Sequence, residues 1–109
     1  MSKAAYWQRG EAIDFPNTTE AAIEENQIVQ IGNRIGVAGT PIAPGETGSL
    51  HVFGVFEMPK DDAAITLGAD VYFKDDAITA TKPSGGVAVG YATEAAGADD
   101  TTVKVKLLG

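Results

Sequence analysis

The sequence contains no cysteine. That removes disulfides, thiolate metal sites and cysteine nucleophiles together, and leaves burial and sheet pairing to hold the fold. Histidine occurs once, as His51, which excludes a multi-histidine metal site within one chain, and its place in a strand among apolar neighbours reads as a packed or interface histidine rather than a general base. Basic residues are few and scattered, eight Lys and Arg against fifteen Asp and Glu, for a net charge of -7. Phosphate backbones are bound by clustered Lys and Arg, so nucleic acid is not an expected partner. The acidic balance instead favours solubility and resists random self-association. No apolar run approaches the ~20 residues of a membrane-spanning helix, so no membrane partner is expected either. The opening MSKAAYWQRGEAIDF lacks the continuous apolar stretch of a signal peptide, which implies synthesis and folding in the cytoplasm.

What is present fits one small domain. The chain has 109 residues, 44% of them hydrophobic, enough for a single core. Thirteen glycines and five prolines indicate many turns between short strands. The most apolar stretch is Ser49 to Pro59, SLHVFGVFEMP, rich in strand-forming Val and Phe. Alternation puts Leu50, Val52, Phe56 and Met58 on one wholly apolar face, with Gly54 between them. His51, Phe53, Val55 and Glu57 fall on the other face, polar at its ends and apolar in the middle. This reads as a central strand whose second face is also covered, by another part of the chain or by another subunit. His51, Phe53 and Val55 are therefore the candidate contacts between copies.

Residues 1–10 read as an N-terminal arm and residues 11–109 as a β-barrel domain. The arm holds Tyr6, Trp7 and Arg9 in a segment too short and polar to make a core of its own; Tyr and Trp are favoured interface anchors. Short strands are expected at Glu11–Phe15, Gln27–Ile31, Arg34–Ala38, Asp70–Lys74, Ala77–Thr81, Gly86–Thr93 and Thr101–Leu108. Asn17-Thr-Thr-Glu20 matches a helix capping box, but Ala21 to Asn26 offer barely one turn. Val87, Val89 and Tyr91 are expected on one face of their strand; Val103, Val105 and Leu107 point inward from the last one. Such spacing argues for an all-β barrel or sandwich. Two halves of the chain also resemble each other. Ala21-Ala22-Ile23 precedes Val29 by the same interval as Ala63-Ala64-Ile65 precedes Val71. Ile35-Gly36-Val37-Ala38 resembles Val89-Gly90-Tyr91-Ala92, and Leu50-x-Val52 resembles Val103-x-Val105. The strand at Ala77 is an insertion in the second half. The pattern fits a pseudo-duplicated barrel rather than a solenoid, because the spacing is not fixed.

No chemistry stands out. The pairs Asp61-Asp62, Asp75-Asp76 and Asp99-Asp100 fall at turns, where Asp is a common turn former, and none has the spacing of a calcium loop. The glycine-rich pieces lack the Lys-Ser/Thr ending of a phosphate loop. No serine sits in a nucleophile elbow. No enzyme activity, cofactor or metal is expected.

The order of the pieces is similar to that of a known family. It comprises Gly10-Glu-Ala-Ile-Asp-Phe15, Ile28-Val-Gln-Ile-Gly32, Ile35-Gly-Val-Ala38, Gly45-Glu-Thr-Gly48, Val52-Phe-Gly-Val-Phe-Glu-Met-Pro-Lys60, Gly68-Ala-Asp-Val-Tyr72, Val89-Gly-Tyr-Ala92 and Val103-Lys-Val-Lys-Leu107. From about Gly10 onward this resembles the small capsid cement, or head decoration, proteins of tailed bacteriophages. The resemblance implies a structural protein of the virion exterior, made in the host cytoplasm. It would be assembled as a homo-oligomer, commonly a trimer, and would bridge subunits of the major capsid protein. It also implies an N-terminal segment that meets the capsid, for which Tyr6, Trp7 and Arg9 are the candidates. The competing reading is a carbohydrate- or cell-surface-binding β-module, which needs exposed aromatics grouped on one face.

Overall fold

The computed structural model describes residues 2–108, an all-β chain with nine strands and no helix among them. The strands β1 (Ala12–Pro16), β2 (Ile28–Ile31), β3 (Arg34–Ala38) and β4 (Thr47–His51) form one antiparallel sheet in the order β1-β4-β3-β2. A second antiparallel sheet, β5-β9-β8-β6-β7, is built from β5 (Phe53–Pro59), β6 (Asp70–Lys74), β7 (Ala77–Thr79), β8 (Val87–Ala92) and β9 (Thr102–Leu108). It curls into a half-barrel. Beyond the end of β5, Lys60 bridges Ile78 of β7, and the Asp61 amide donates to the Ile78 carbonyl at 3.0 Å.

Two cores follow from the alternation of these strands. The larger takes Ile35 and Val37 from β3 together with Met58, Val71, Ile78, Val105 and Leu107 from the second sheet. The smaller joins Ile23, Ala38, Ile42 and Leu50, with Ile13 and Phe15 of β1 against it. Strand β3 therefore has both faces covered, Ile35 and Val37 on one side and Ala38 on the other. Its Gly36 lies against Leu50, where an added Cβ would stand 2.6 Å from Cγ.

The central strand is thus β3, and the Ser49–Pro59 stretch is not one strand. It breaks at Val52 into β4 and β5, which belong to different sheets. Val52 is buried, and its amide donates to the Glu11 carbonyl at 3.0 Å. Two residues on, Gly54 has φ +127, a backbone that a side chain would strain. The apolar period continues across the break, because both strands need the same inward residues. Only their distant partners, β1 and β3 for β4 and β9 for β5, distinguish them. Leu50, Val52 and Met58 are buried as the alternation requires, while Phe56 packs half-buried at the margin of the larger core.

The capping-box residues lie in a loop, as the short run after them implies: the Asn17 side-chain oxygen accepts from the Thr19 amide at 3.0 Å and from its hydroxyl at 2.6 Å, a side-chain-closed turn. Two local readings need correction. Strand β7 ends at Thr79 rather than Thr81. Tyr91 does not share the buried face of Val87 and Val89. A bulge opposite Val71 and Tyr72 shifts the register of β8, so that Ala92 is buried and Tyr91 half-buried.

The internal repeat is structural. Ile23 and Ile42 exchange backbone hydrogen bonds of 2.9 and 2.8 Å, and Ile65 and Ala96 exchange two of 2.8 Å. Asn26 donates to the Ala38 carbonyl and Gly68 to that of Ala92, both at 2.8 Å. The Ala43 amide is held by Glu46 Oε1 at 3.0 Å, and the Gly97 amide by Asp100 Oδ2 at 2.8 Å. Strands β1, β2, β3 and β4 thus correspond to β5, β6, β8 and β9, with β7 inserted. The backbone bonds set one register differently from the sequence likeness. Gly39 donates to Ser49 and Thr93 to Lys104, which aligns Leu50 with Val105 rather than with Val103.

Candidate functional site

Strands β5 and β9 pair over their whole length, from Phe53 opposite Leu108 to Pro59 opposite Thr102. Met58, Val103, Val105 and Leu107 point into the core, so Phe53, Val55, Glu57, Lys104, Lys106 and Leu108 share the outer face. On that face Phe53 is 46%, Val55 54% and Leu108 57% exposed. The strip grades from apolar to charged: Phe53 with Leu108, then Val55 with Lys106, then Glu57 with Lys104. The Lys106 ammonium lies 5.3 Å from the centre of the Phe53 ring, a cation–π distance. Lys104 reaches Glu94 at 3.4 Å. The chain itself does not cover this face, so the covering layer expected for it does not come from the described residues.

The N-terminal segment begins beside the same strip. The Glu11–Val52 bond holds the start of β1 next to Phe53, and Phe53 faces Leu108. Both ends of the folded body therefore meet at the apolar patch. Residues 2–10 are exposed and carry no strand. Tyr6 and Trp7 are 83% and 85% exposed, and Arg9 pairs with Glu11 at 3.2 Å on the surface. Gly10 has φ +85, which turns the chain away from the β1–β4 ladder.

His51 does not join Phe53 and Val55. It ends β4, in the other sheet, with its ring 6.3 Å from that of Phe56. Alternation puts Phe56 on the side opposite Phe53 and Val55. The imidazole also fills the space over Gly39, where an added Cβ would lie 2.6 Å from Nε2. Leu108 and Lys106 do belong to the site. The alternation of β9 assigns Lys106 outward, but nothing in the sequence pairs it with Phe53. Leu108 becomes part of the patch only through the β5–β9 register.

Two polar side chains are buried among the described residues, and neither stands out in the sequence read alone. Asn17 and Lys60 each follow the proline that ends a strand, Pro16 of β1 and Pro59 of β5. They occupy equivalent places in the repeat: Asn17 N donates to the Glu46 carbonyl and Lys60 N to that of Thr101. The Asn17 amide nitrogen donates to the Ala21 and Ile42 carbonyls at 2.9 and 3.0 Å. The Lys60 ammonium donates to those of Asp61, Gly97 and Asp100 at 2.8, 3.0 and 3.2 Å. These are internal ties. The acidic pairs at residues 61–62 and 99–100 lie around Lys60, and no group of acidic or histidine residues among those described is arranged to hold a metal ion. Tyr72 and Tyr91 are half-buried, so the exposed rings are those of the N-terminal segment and Phe53.

A family model described as phage cement protein matches residues 7–107. The chain belongs to the phage cement protein family. No curated protein and no solved structure matches it. As a cement protein it is a structural component of the phage capsid and associates with it. The match begins at Trp7, so it takes in the end of the N-terminal segment together with nearly the whole two-sheet body.

Proposed function

We propose that this cement protein binds the outer surface of the head as a homo-oligomer and stabilises the shell by bridging neighbouring major capsid protein subunits. The observation that carries the reading is the Phe53–Val55–Leu108 face. It is an apolar patch on a body whose other strands expose no large hydrophobic side chain, and it lies beside an exposed Tyr6-Trp7 segment. Apolar patches rimmed by charge mark association sites. Phe53 and Val55, joined by Leu108, form the contact between copies, while His51 keeps a packing role over Gly39. The trimer is the order that the family resemblance suggests. Tyr6, Trp7 and Arg9 form the part that meets the capsid, as rigid aromatic anchors followed by a cation.

The mechanism is mechanical. Fully covering a Phe, Val or Leu side chain stabilises by about 1.5–3 kcal/mol, and these three are already part-covered, so each contact contributes a few kcal/mol. Repetition over many copies makes the shell hard to open, because each bound copy raises the effective concentration of the next contact. The protein is made in the host cytoplasm and added to the head exterior.

The test is to add the purified protein to matured, undecorated heads, sediment them, and heat the washed heads while following genome release. The reading predicts co-sedimentation and release at a higher temperature than for bare heads. Heads that bind none of it, or that bind it and open at an unchanged temperature, would contradict it.

A further inference from the structure

We infer that the outer face and free edge of β5 are the seat for the N-terminal segment, residues 2–10, of a second copy of the chain. This rests on the oligomer proposed above and specifies what fills its contact. Six large hydrophobic side chains are exposed among the described residues: Tyr6, Trp7, Phe53, Val55, Leu67 and Leu108. All except Leu67 lie either on the N-terminal segment or on the strip beside which it leaves the body. One docking event therefore brings Trp7 to the strip, with Tyr6 on the other side of the added strand.

The backbone supports the same seat. β5 is the outermost strand of its sheet, and its bridge to β7 comes only at Lys60, past the strand's end. From Phe53 to Glu57 it presents an open edge, the usual template for an added strand. Side chains two apart share a side of a strand. A segment running parallel to β5 thus sets Trp7 over Val55 and Arg9 beside Glu57, aromatic on apolar and cation beside anion. The charge balance agrees. The chain through Gly10 carries Lys3 and Arg9 and no acid, so all of the acidic residues lie on the body it would dock to.

A chain's own segment is not the occupant. Gly10 turns it off the ladder, and Tyr6 and Trp7 stand clear of the body they are attached to. The seat describes the protein before it meets a head; a capsid then competes for the same aromatic segment.

Trp7 is the only tryptophan, so its emission reports the segment directly. The full-length protein is diluted through its association range, with mass followed by light scattering and Trp7 accessibility by acrylamide quenching. The inference predicts blue-shifted emission and several-fold weaker quenching in the oligomer. Both should revert on dilution to monomer, and both should be absent at all concentrations in the full-length F53S/V55S double variant, whose β-type circular dichroism is retained. An oligomer in which Trp7 stays fully quenchable overturns the seat and leaves the oligomer standing. Protection of Trp7 that does not change with concentration in a monomer assigns the seat to the chain's own segment and overturns the inference. A monomer with an open Trp7 at every concentration overturns both the seat and the oligomer.

Discussion

The two halves of the molecule share a scaffold and differ in what they leave open. In the first half β1 is a short strand, entered from Gly10, and it carries no exposed large hydrophobic side chain. Its counterpart β5 is longer and holds Phe53 and Val55 in solvent. Extending the equivalence of Pro16 with Pro59 back along the strands places Gly10 where Phe53 stands. One half thus has a pivot where the other has an aromatic ring, and the two positions lie side by side. The buried ties differ as well. Neutral Asn17 holds two carbonyls in the first half, and the Lys60 ammonium holds three in the second. The repeated features set the fold, and the features that break the repeat fall on the face proposed for assembly.

The largest expected effect breaks the comparison at a matched pair of glycines, Gly36 and Gly90. A Cβ at Gly90 would land on the backbone carbonyl of Lys106, whereas one at Gly36 meets the branch of the Leu50 side chain first and the His51 carbonyl only at 3.1 Å. Backbone cannot yield as a side chain can. Gly90→Ala should therefore cost ~3 kcal/mol or more and Gly36→Ala about 1–2, read from urea midpoints. Equal costs would mean that the two halves are packed alike at this position.

Next come the buried ties. Lys60→Met leaves three carbonyls without their charged donor, and Asn17→Ala leaves two without a neutral one. Hydrogen bonds to charged groups count for about 1.5–3 kcal/mol and neutral ones for about 0.5–1.5. Lys60→Met should lower the urea midpoint more than Asn17→Ala; the reverse order would show that the ammonium's desolvation cancels its bonds.

Smaller still for the folded body is the double substitution Phe53→Ser, Val55→Ser. On exposed positions it should change monomer stability by less than ~0.5 kcal/mol while dissociating the oligomer in sedimentation velocity. The smallest effect is expected for Glu94→Gln, which removes the exposed ion pair to Lys104. It should shift stability by no more than ~0.5 kcal/mol and less at high salt, checked by melting at two ionic strengths.

The body was largely readable because its signals are local. Period-two runs such as Val103-Lys-Val-Lys-Leu107 and Asp70-Val-Tyr-Phe-Lys74 state their own burial, and Gly32-Asn33 and Asp75-Asp76 mark their hairpins. Ala38 and Ala92 were matched from sequence, and both are fully buried. The break at Val52 was not readable, since the same inward residues serve two sheets and only distant pairing separates them. The bulge that turns Tyr91 off the Val87–Val89 face is marked in the sequence only by Gly90, a strand glycine that signals a bend but not the register shift it brings. Of the candidate site, Phe53 and Val55 stood out as apolar residues on a face that ought to be polar. Leu108 joins them through register, and His51 leaves them because its strand ends one residue too early. Asn17 and Lys60 did have a signal, a polar residue directly after a strand-ending proline in each half, but it shows only once the halves are aligned at β1 and β5.

The most direct test of the account is the solution mass of the wild-type chain beside that of F53S/V55S, by light scattering across a concentration series. The account predicts a small closed oligomer for the wild type and a folded monomer for the double variant. A wild type that is monomeric throughout, or a double variant that keeps the wild-type mass, would contradict the assignment of the β5–β9 face to assembly.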